Sequence, residues 1–210
     1  MAKLTFDPET HAYTLDGRRV PSVTEICVFV TAAKYGAANS ALVAQAARRG
    51  SLVHEYCQAI DYGVPLSELE LDPALAGYVR AYLSFLETYR PDWSMIEQPV
   101  YTAQYAGTLD RFGSLMGRPC LVDIKTTAVM DRLSQIALAL QLQGYQGAES
   151  PPLPAVHPAR RLGVQLRRDG SFRVLSQSQI VQKHFQGADP ADIFSKLLKI
   201  AQLIGGYENG

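Results

Sequence analysis

A change of hydrophobic period near residue 94 constrains this chain more than any other feature. Before it, Leu75, Tyr78, Val79, Tyr82, Leu83 and Leu86 recur at helical spacing. Residues 94–125 then favour strands, with Gly107, Gly113 and Gly117 as punctuation, and residues 131–147 return to a helical pattern in which Ile136, Leu140 and Tyr145 share a face. Helices on either side of a run of strands make this a chain of mixed helix and strand.

The flanking segments carry local signals of their own. Residues 1–20 read as a small β meander, with Leu4-Thr5-Phe6, Ala12-Tyr13-Thr14-Leu15 and Arg18-Arg19-Val20 separated by turns. Ser22 precedes Glu25 by three residues, a capping box that opens a helix ending near Gly36. A second helix starts after Asn39 or Ser40 and runs toward Gly63, with Gly50 as the place where it would break or bend; Asp72-Pro73 opens a third. Residues 149–159 are proline-rich and predict an exposed, mobile loop. Asp169-Gly170 between apolar runs predicts a hairpin, and residues 178–204 read as helical with a break at 187–190. The expected organisation is one domain over residues 1–210: the meander 1–20, a helical part 21–90, a core 91–148, the loop 149–159, and a hairpin with helices over 160–204.

Charge narrows the function. The 20 Lys and Arg balance 20 Asp and Glu, which excludes a protein that coats nucleic acid by bulk electrostatics but leaves room for a local basic groove. Arginines come in pairs, at Arg48 and Arg49, Arg160 and Arg161, and Arg167 and Arg168. Cys27, Cys57 and Cys120 form no Cys-x-x-Cys pair and read as small buried apolar residues. No apolar stretch approaches the length of a membrane span, and the first residues lack the apolar core of a secretory signal, so a cytoplasmic protein without a membrane partner is expected.

The chemistry gathers between Gly107 and Thr127. Two antiparallel strands about a turn near Met116-Gly117 place Asp123 and Lys125 on one face, with Val122 and Ile124 on the other. An even loop centred between Met116 and Gly117 sets Asp110 directly opposite Asp123; a loop at Gly117-Arg118 sets it opposite Lys125; an odd loop sends it to the other face. Facing carboxylates repel unless a cation lies between them, and oxygen ligands without cysteine suit a hard divalent ion, Mg²⁺ or Mn²⁺. The alternative is an ordinary Asp110–Lys125 ion pair beside a strand-end acid.

In this order the residues resemble the PD-(D/E)XK nuclease superfamily, and within it the RecB-type and phage exonuclease branch: Gly50-x-x-x-His54, Gly107-Thr108-x-Asp110, Asp123-x-Lys125-Thr126 and Gln141-x-x-x-Tyr145. The resemblance spans residues 48–146. It implies an α/β fold, a central mixed sheet flanked by helices in αβββαβ order, which matches the change of period. It also implies metal ligands at Asp110, Asp123 and the backbone carbonyl of Ile124, a catalytic Lys125, and His54 reaching the same metal or its water. Glu97 occupies the first strand, where such relatives often carry an acid near the metal. Gln141 and Tyr145, four residues apart on one helix face, are implied to contact substrate or brace the site, and Arg48, Arg49 and Arg111 are candidates for phosphate contacts. Several relatives hold an iron–sulfur cluster with C-terminal cysteines; no cysteine follows Cys120, so no cluster is expected. The expected activity is a Mg²⁺- or Mn²⁺-dependent deoxyribonuclease, most simply an exonuclease in phage or bacterial recombination or repair, with DNA as substrate and a recombination or single-strand-binding protein as a further partner. The alternatives are a structure-specific endonuclease and a non-catalytic DNA-binding or assembly protein on the same scaffold.

Overall fold

The computed structural model describes residues 3–7, 10–35, 40–205 and 207. Strands β1 (Leu4–Asp7), β2 (Ala12–Leu15) and β3 (Arg18–Val20) pair antiparallel in sequence order, as the meander signals predict. Ser22 and Glu25 form the capping box at the start of α1 (Val23–Tyr35): Ser22 Oγ accepts from Glu25 N at 3.0 Å and Glu25 Oε2 accepts from Ser22 N at 2.7 Å. Gly36 and Asn39, expected to end one helix and begin the next, lie outside the described residues.

Helix α2 (Ser40–Asp61) passes through Gly50 without a break, correcting the expected interruption. A glycine costs only about 1 kcal/mol in a helix interior, which packing readily offsets. Helix α3 (Ala76–Tyr89) begins after Asp72-Pro73 rather than at it, because residues 72–75 form a turn in which Asp72 O accepts from Leu75 N.

The second sheet has five strands, in the order β4 (Pro91–Tyr101), β5 (Ala106–Leu115), β6 (Arg118–Lys125), β7 (Arg161–Leu166) and β8 (Phe172–Ser176). All neighbours are antiparallel except β6 and β7, whose parallel pairing is made possible by the crossover through α4 (Arg132–Gln146). Helices α5 (Gln177–His184) and α6 (Pro190–Ile204) complete the chain on either side of the expected break. The fold is α/β, a mixed sheet flanked by helices with a separate three-stranded sheet.

Gly107 and Gly113 lie inside β5 and do not interrupt it. Gly113 is required there by close approach: a Cβ would stand 2.1 Å from Asp92 O on β4. The proline-rich loop is largely exposed, as expected, but it is held by hydrogen bonds at several points. Tyr101 N donates to Ser150 O, Gln146 bonds Pro154 O and Val156 N, Arg161 bonds Val156 O, and Val156 is buried.

The sheet divides the core. Val122, Ile124, Val164 and Leu166 pack with Val53 and Cys57 of α2 and with Tyr82 and Phe85 of α3. On the opposite side Phe112 and Leu121 pack with α1, α4 and α6. The alternation of β6 predicted from sequence is therefore present, and all three cysteines are buried. Among the described residues, no helix is long and apolar enough to cross a membrane.

Candidate metal centre

The β5–β6 turn decides where the acids go. Met116 and Gly117 both have positive φ, at 52° and 73°, the two-residue turn whose twist suits a hairpin. Leu115 pairs with Arg118, and the ladder continues to Arg111 and Val122. This is the register that brings Asp110 and Asp123 next to each other along the two strands. There the strands part, and Asp110 Oδ2 accepts from Ile124 N at 2.5 Å. A carboxylate thus caps the open end of the ladder.

His54 reaches this gap from α2. Its Nε2 lies 3.1 Å from Ile124 O, and its Nδ1 lies 3.2 Å from Glu97 Oε1 and 3.7 Å from Asp110 Oδ1. Both ring nitrogens face acceptors, which favours the doubly protonated imidazolium. Burial opposes that charge, but Asp110 and Glu97 outweigh it and raise His54 to about 9.

Glu97 arrives by an unusual route. Its φ is 46°, in the left-handed region, while its neighbours Ile96 and Gln98 pair regularly with Arg111 and Leu109. A non-glycine residue there costs about 1–2 kcal/mol, and its carboxylate meets His54 and Arg111. Burial would raise Glu97, but hydrogen bonds and charge from His54 and Arg111 hold it below the ordinary carboxylate range.

His54, Glu97 and Asp110 each offer a ligand atom, all within 4.8 Å of one another, the one such group among the described residues. Asp123 stands beside this group, with its Oδ2 at 2.8 Å from Lys125 Nζ. Burial disfavours the Lys125 ammonium, yet Asp123 and Asp110 raise its pKa above the ordinary value and keep it charged. For Asp110, burial pushes the carboxyl up; Asp123 and Glu97 add to this and His54 partly offsets it. A partly neutral acid beneath an imidazolium is what a cation-binding pocket looks like when protons supply the positive charge. The side chains of His54, Glu97 and Lys125 are 24%, 21% and 31% exposed over the nearly buried Asp110 and Asp123, so the group has a mouth through which an ion and a ligand can enter. Carboxylates and the Ile124 carbonyl suit Mg²⁺ or Mn²⁺, and the imidazole favours Mn²⁺ of the two.

The remaining sequence candidates divide. Arg111, expected at a phosphate, is fully buried instead: Nε donates to Asp61 Oδ2 at 2.6 Å, and Nη1 donates to Glu97 Oε1 at 2.8 Å and to Asp110 O at 2.7 Å. It braces the acids from behind. Tyr145 and Gln141 are also buried. Tyr145 packs against Gly107, where a Cβ would meet its ring at 3.0 Å, and its hydroxyl is kept protonated first by burial and then by the charges of Asp123 and Asp110. Arg48 and Arg49 sit on α2 away from the acids, in a cleft with Tyr78 and Arg168.

Asp61 and Tyr82 were missed. Tyr82 Oη donates to Asp61 Oδ2 at 2.6 Å, completing the support under Arg111. The signal was present: Asp61 follows His54 by seven residues, two helical turns on the same face of α2.

No protein-family model matches the chain, and no curated protein matches it.

Proposed function

We propose that the chain is a divalent-metal-dependent deoxyribonuclease of the PD-(D/E)XK type, acting from DNA ends in the cytoplasm in a recombination or repair setting of a phage or bacterium. The observation that carries this reading is the convergence of His54, Glu97 and Asp110 at the open end of the β5–β6 pair, with Lys125 held on Asp123 beside them. The order of elements around it, α2–α3, β4–β5–β6, α4 and β7, supports the nuclease-like core, as does the strain accepted at Glu97.

A bound Mg²⁺ or Mn²⁺ would supply Lewis-acid polarisation of a phosphoryl oxygen and a more acidic water. The chain's own groups do the rest. Asp110 and Glu97 hold carboxyl oxygens at fixed positions, the first by the Ile124 amide and the second by Arg111. Lys125 presents an ammonium whose side chain is steadied by Asp123, ready to orient a water and to stabilise charge developing on the phosphoryl oxygens. His54, hydrogen-bonded to the Ile124 carbonyl, would hold the ion by a ring nitrogen after losing a proton.

The test is incubation of end-labelled linear and covalently closed circular DNA with Mn²⁺ or Mg²⁺, and with EDTA as control. Metal-dependent release of nucleotides from linear DNA is expected. Cleavage of the circle would make the protein an endonuclease. No product on any DNA, together with metal-independent DNA binding, would leave a binding module on a nuclease scaffold.

A further inference from the structure

A cleft of about 370 Å³ opens between α2, the turn before α3 and the β7–β8 turn, and it shares no side chain with the metal centre. Arg48, Arg49 and Arg168 line it, with Tyr78, Gln45 and Asp72. Two elements distant in sequence, α2 and the β7–β8 turn, bring these arginines together, and the packing of α3 against that turn is tight. At Gly77 a Cβ would stand 1.8 Å from Arg168 O, so only glycine lets α3 lie flush against the β7–β8 turn and hold Arg168 at the cleft.

The charge in the cleft is lopsided. Three guanidinium groups face a single carboxylate, Asp72, whose Oδ1 already accepts from Ala74 N at 2.8 Å. The Arg49 guanidinium lies over the Tyr78 ring at 6.0 Å, and its Nε is buried with no hydrogen-bond partner among the described residues. The outer nitrogens of Arg49, a half-buried residue, and of the exposed Arg48 are the donors left to meet a ligand in the cleft. Planar guanidinium forks match phosphate oxygens two at a time, which a lone chloride or a neutral ligand cannot use.

The cleft also lies on the side of the sheet edge where the proposed chemistry sits. Lys125 pairs with Gln165 in the parallel β6–β7 ladder, so Arg168 follows just beyond the same edge. Along α2, Arg49 precedes His54 by five residues, about 7.5 Å of helix axis, so one helix contributes to both the cleft and the metal centre.

Resting on the nuclease reading, we propose that this cleft is a second phosphate site, which grips the sugar–phosphate backbone of a nucleic-acid strand a few nucleotides from the bond at the metal centre. Its ligand is a phosphodiester strand, held by Arg48, Arg49 and Arg168 through its oxygens and without regard to base sequence.

The experiment measures binding of a fluorescent single-stranded oligonucleotide in EDTA, where cleavage cannot occur, over a range of salt concentrations. The proteins are the parent, Arg48→Gln, Arg168→Gln, the double variant, and Arg48→Lys/Arg168→Lys; thermal melts confirm that each is folded. The double Gln variant should bind at least tenfold more weakly, with a log–log salt slope lower by about 1.4, two contacts at about 0.7 each. The double Lys variant should recover most of the slope, because Lys keeps the charge. Equal slopes for parent and double Gln variant, or no binding by the parent, would overturn the cleft and leave the metal centre to be judged by its own assay. Arginine-dependent binding by a protein that cleaves nothing would sink the nuclease reading and keep the cleft. A mononucleotide that competes as well as the oligonucleotide would make this a site for free phosphate compounds, and the strand proposal would fall.

Discussion

Arg111 Nη1 and His54 Nδ1 share one acceptor, Glu97 Oε1, at 2.8 and 3.2 Å. The guanidinium is fully buried and the imidazole is partly open, so one carboxylate oxygen links the core of the protein to the mouth of the site. Glu97 therefore has two duties, and the group behind it is as important to its position as the strand that carries it.

Replacing Arg111 with Met should remove this support, leaving Asp61 without its cation and Glu97 with His54 alone. Breaking a buried pair costs about 3–5 kcal/mol, and at about 2–4 °C per kcal/mol for a chain of this size the melting temperature should fall by at least about 6 °C. Tyr82→Phe removes only the hydroxyl that bonds Asp61 and should cost about 1 kcal/mol. An Arg111→Met protein that melts with the parent would refute the brace.

Asp110→Asn tests the acid pair. The Asn carbonyl can still accept from Ile124 N, while the charge facing Asp123 and Glu97 disappears. The metal-free variant should be at least as stable as the parent, and its stabilisation by Mn²⁺ should be lost. A metal-free variant melting several degrees below the parent would show that Asp110 is held as a stabilising anion, contrary to the geometry described.

Lys125→Ala should abolish DNA cleavage. It also strands Asp123, whose side chain is 2% exposed, so the metal-free protein should lose about 1–3 kcal/mol by urea melting. Retention of cleavage would remove Lys125 from the mechanism.

The pH dependence follows from two raised pKa values. Asp110 is raised first by burial, so the folded state keeps a proton that the unfolded chain releases near pH 4, and stability falls as pH rises above that value. His54 is raised to about 9 against the opposing effect of burial, so the stability from its charged form is complete below about pH 6.5 and is lost as pH rises through 9. Both act in the same direction. Glu97, held low, loses its contribution only as pH falls through the acidic range and does not intervene. The metal-free protein should melt at a lower temperature at pH 8.5 than at pH 5.5, and the gain from Mn²⁺ should grow with pH, because the ion displaces these protons. Thermal melts with and without Mn²⁺ at the two pH values decide it.

Gly50→Ala separates folding from function in the Gly-x-x-x-His element. A Cβ at Gly50 would meet Thr126 Oγ1 at 3.7 Å, an ordinary contact, so the fold does not need the glycine. The substitution should raise stability by about 0.5–1 kcal/mol through helix propensity, measured by urea melting. Destabilisation would mean that α2 has less room against β6 than the geometry indicates.

Much of the fold was legible because it depends on near neighbours in the chain. The Ser22–Glu25 capping box, the meander and the Asp169-Gly170 hairpin each follow from turn chemistry or period within a few residues, whereas the β5–β6 turn left three registers open until the pairing of Leu115 with Arg118 selected one. That register brings Asp110 and Asp123 together, one of the arrangements the residue spacing allowed. The anchoring of the proline-rich loop was missed because its anchors, Tyr101 and Gln146, belong to other elements.

By itself, the order of residues determined the sequence of helices and strands, the shared face of Asp123 and Lys125, and the grouping of acids at one hairpin, since alternation and turn geometry act locally. Only the tertiary structure decided that Arg111 is a buried brace, that Glu97 meets His54 and Arg111 from a left-handed backbone position, that Asp61 and Tyr82 stand behind both, and that Arg48, Arg49 and Arg168 line one cleft. Those outcomes depend on which faces of separate elements meet across the sheet, and burial then fixes which charges must find a partner.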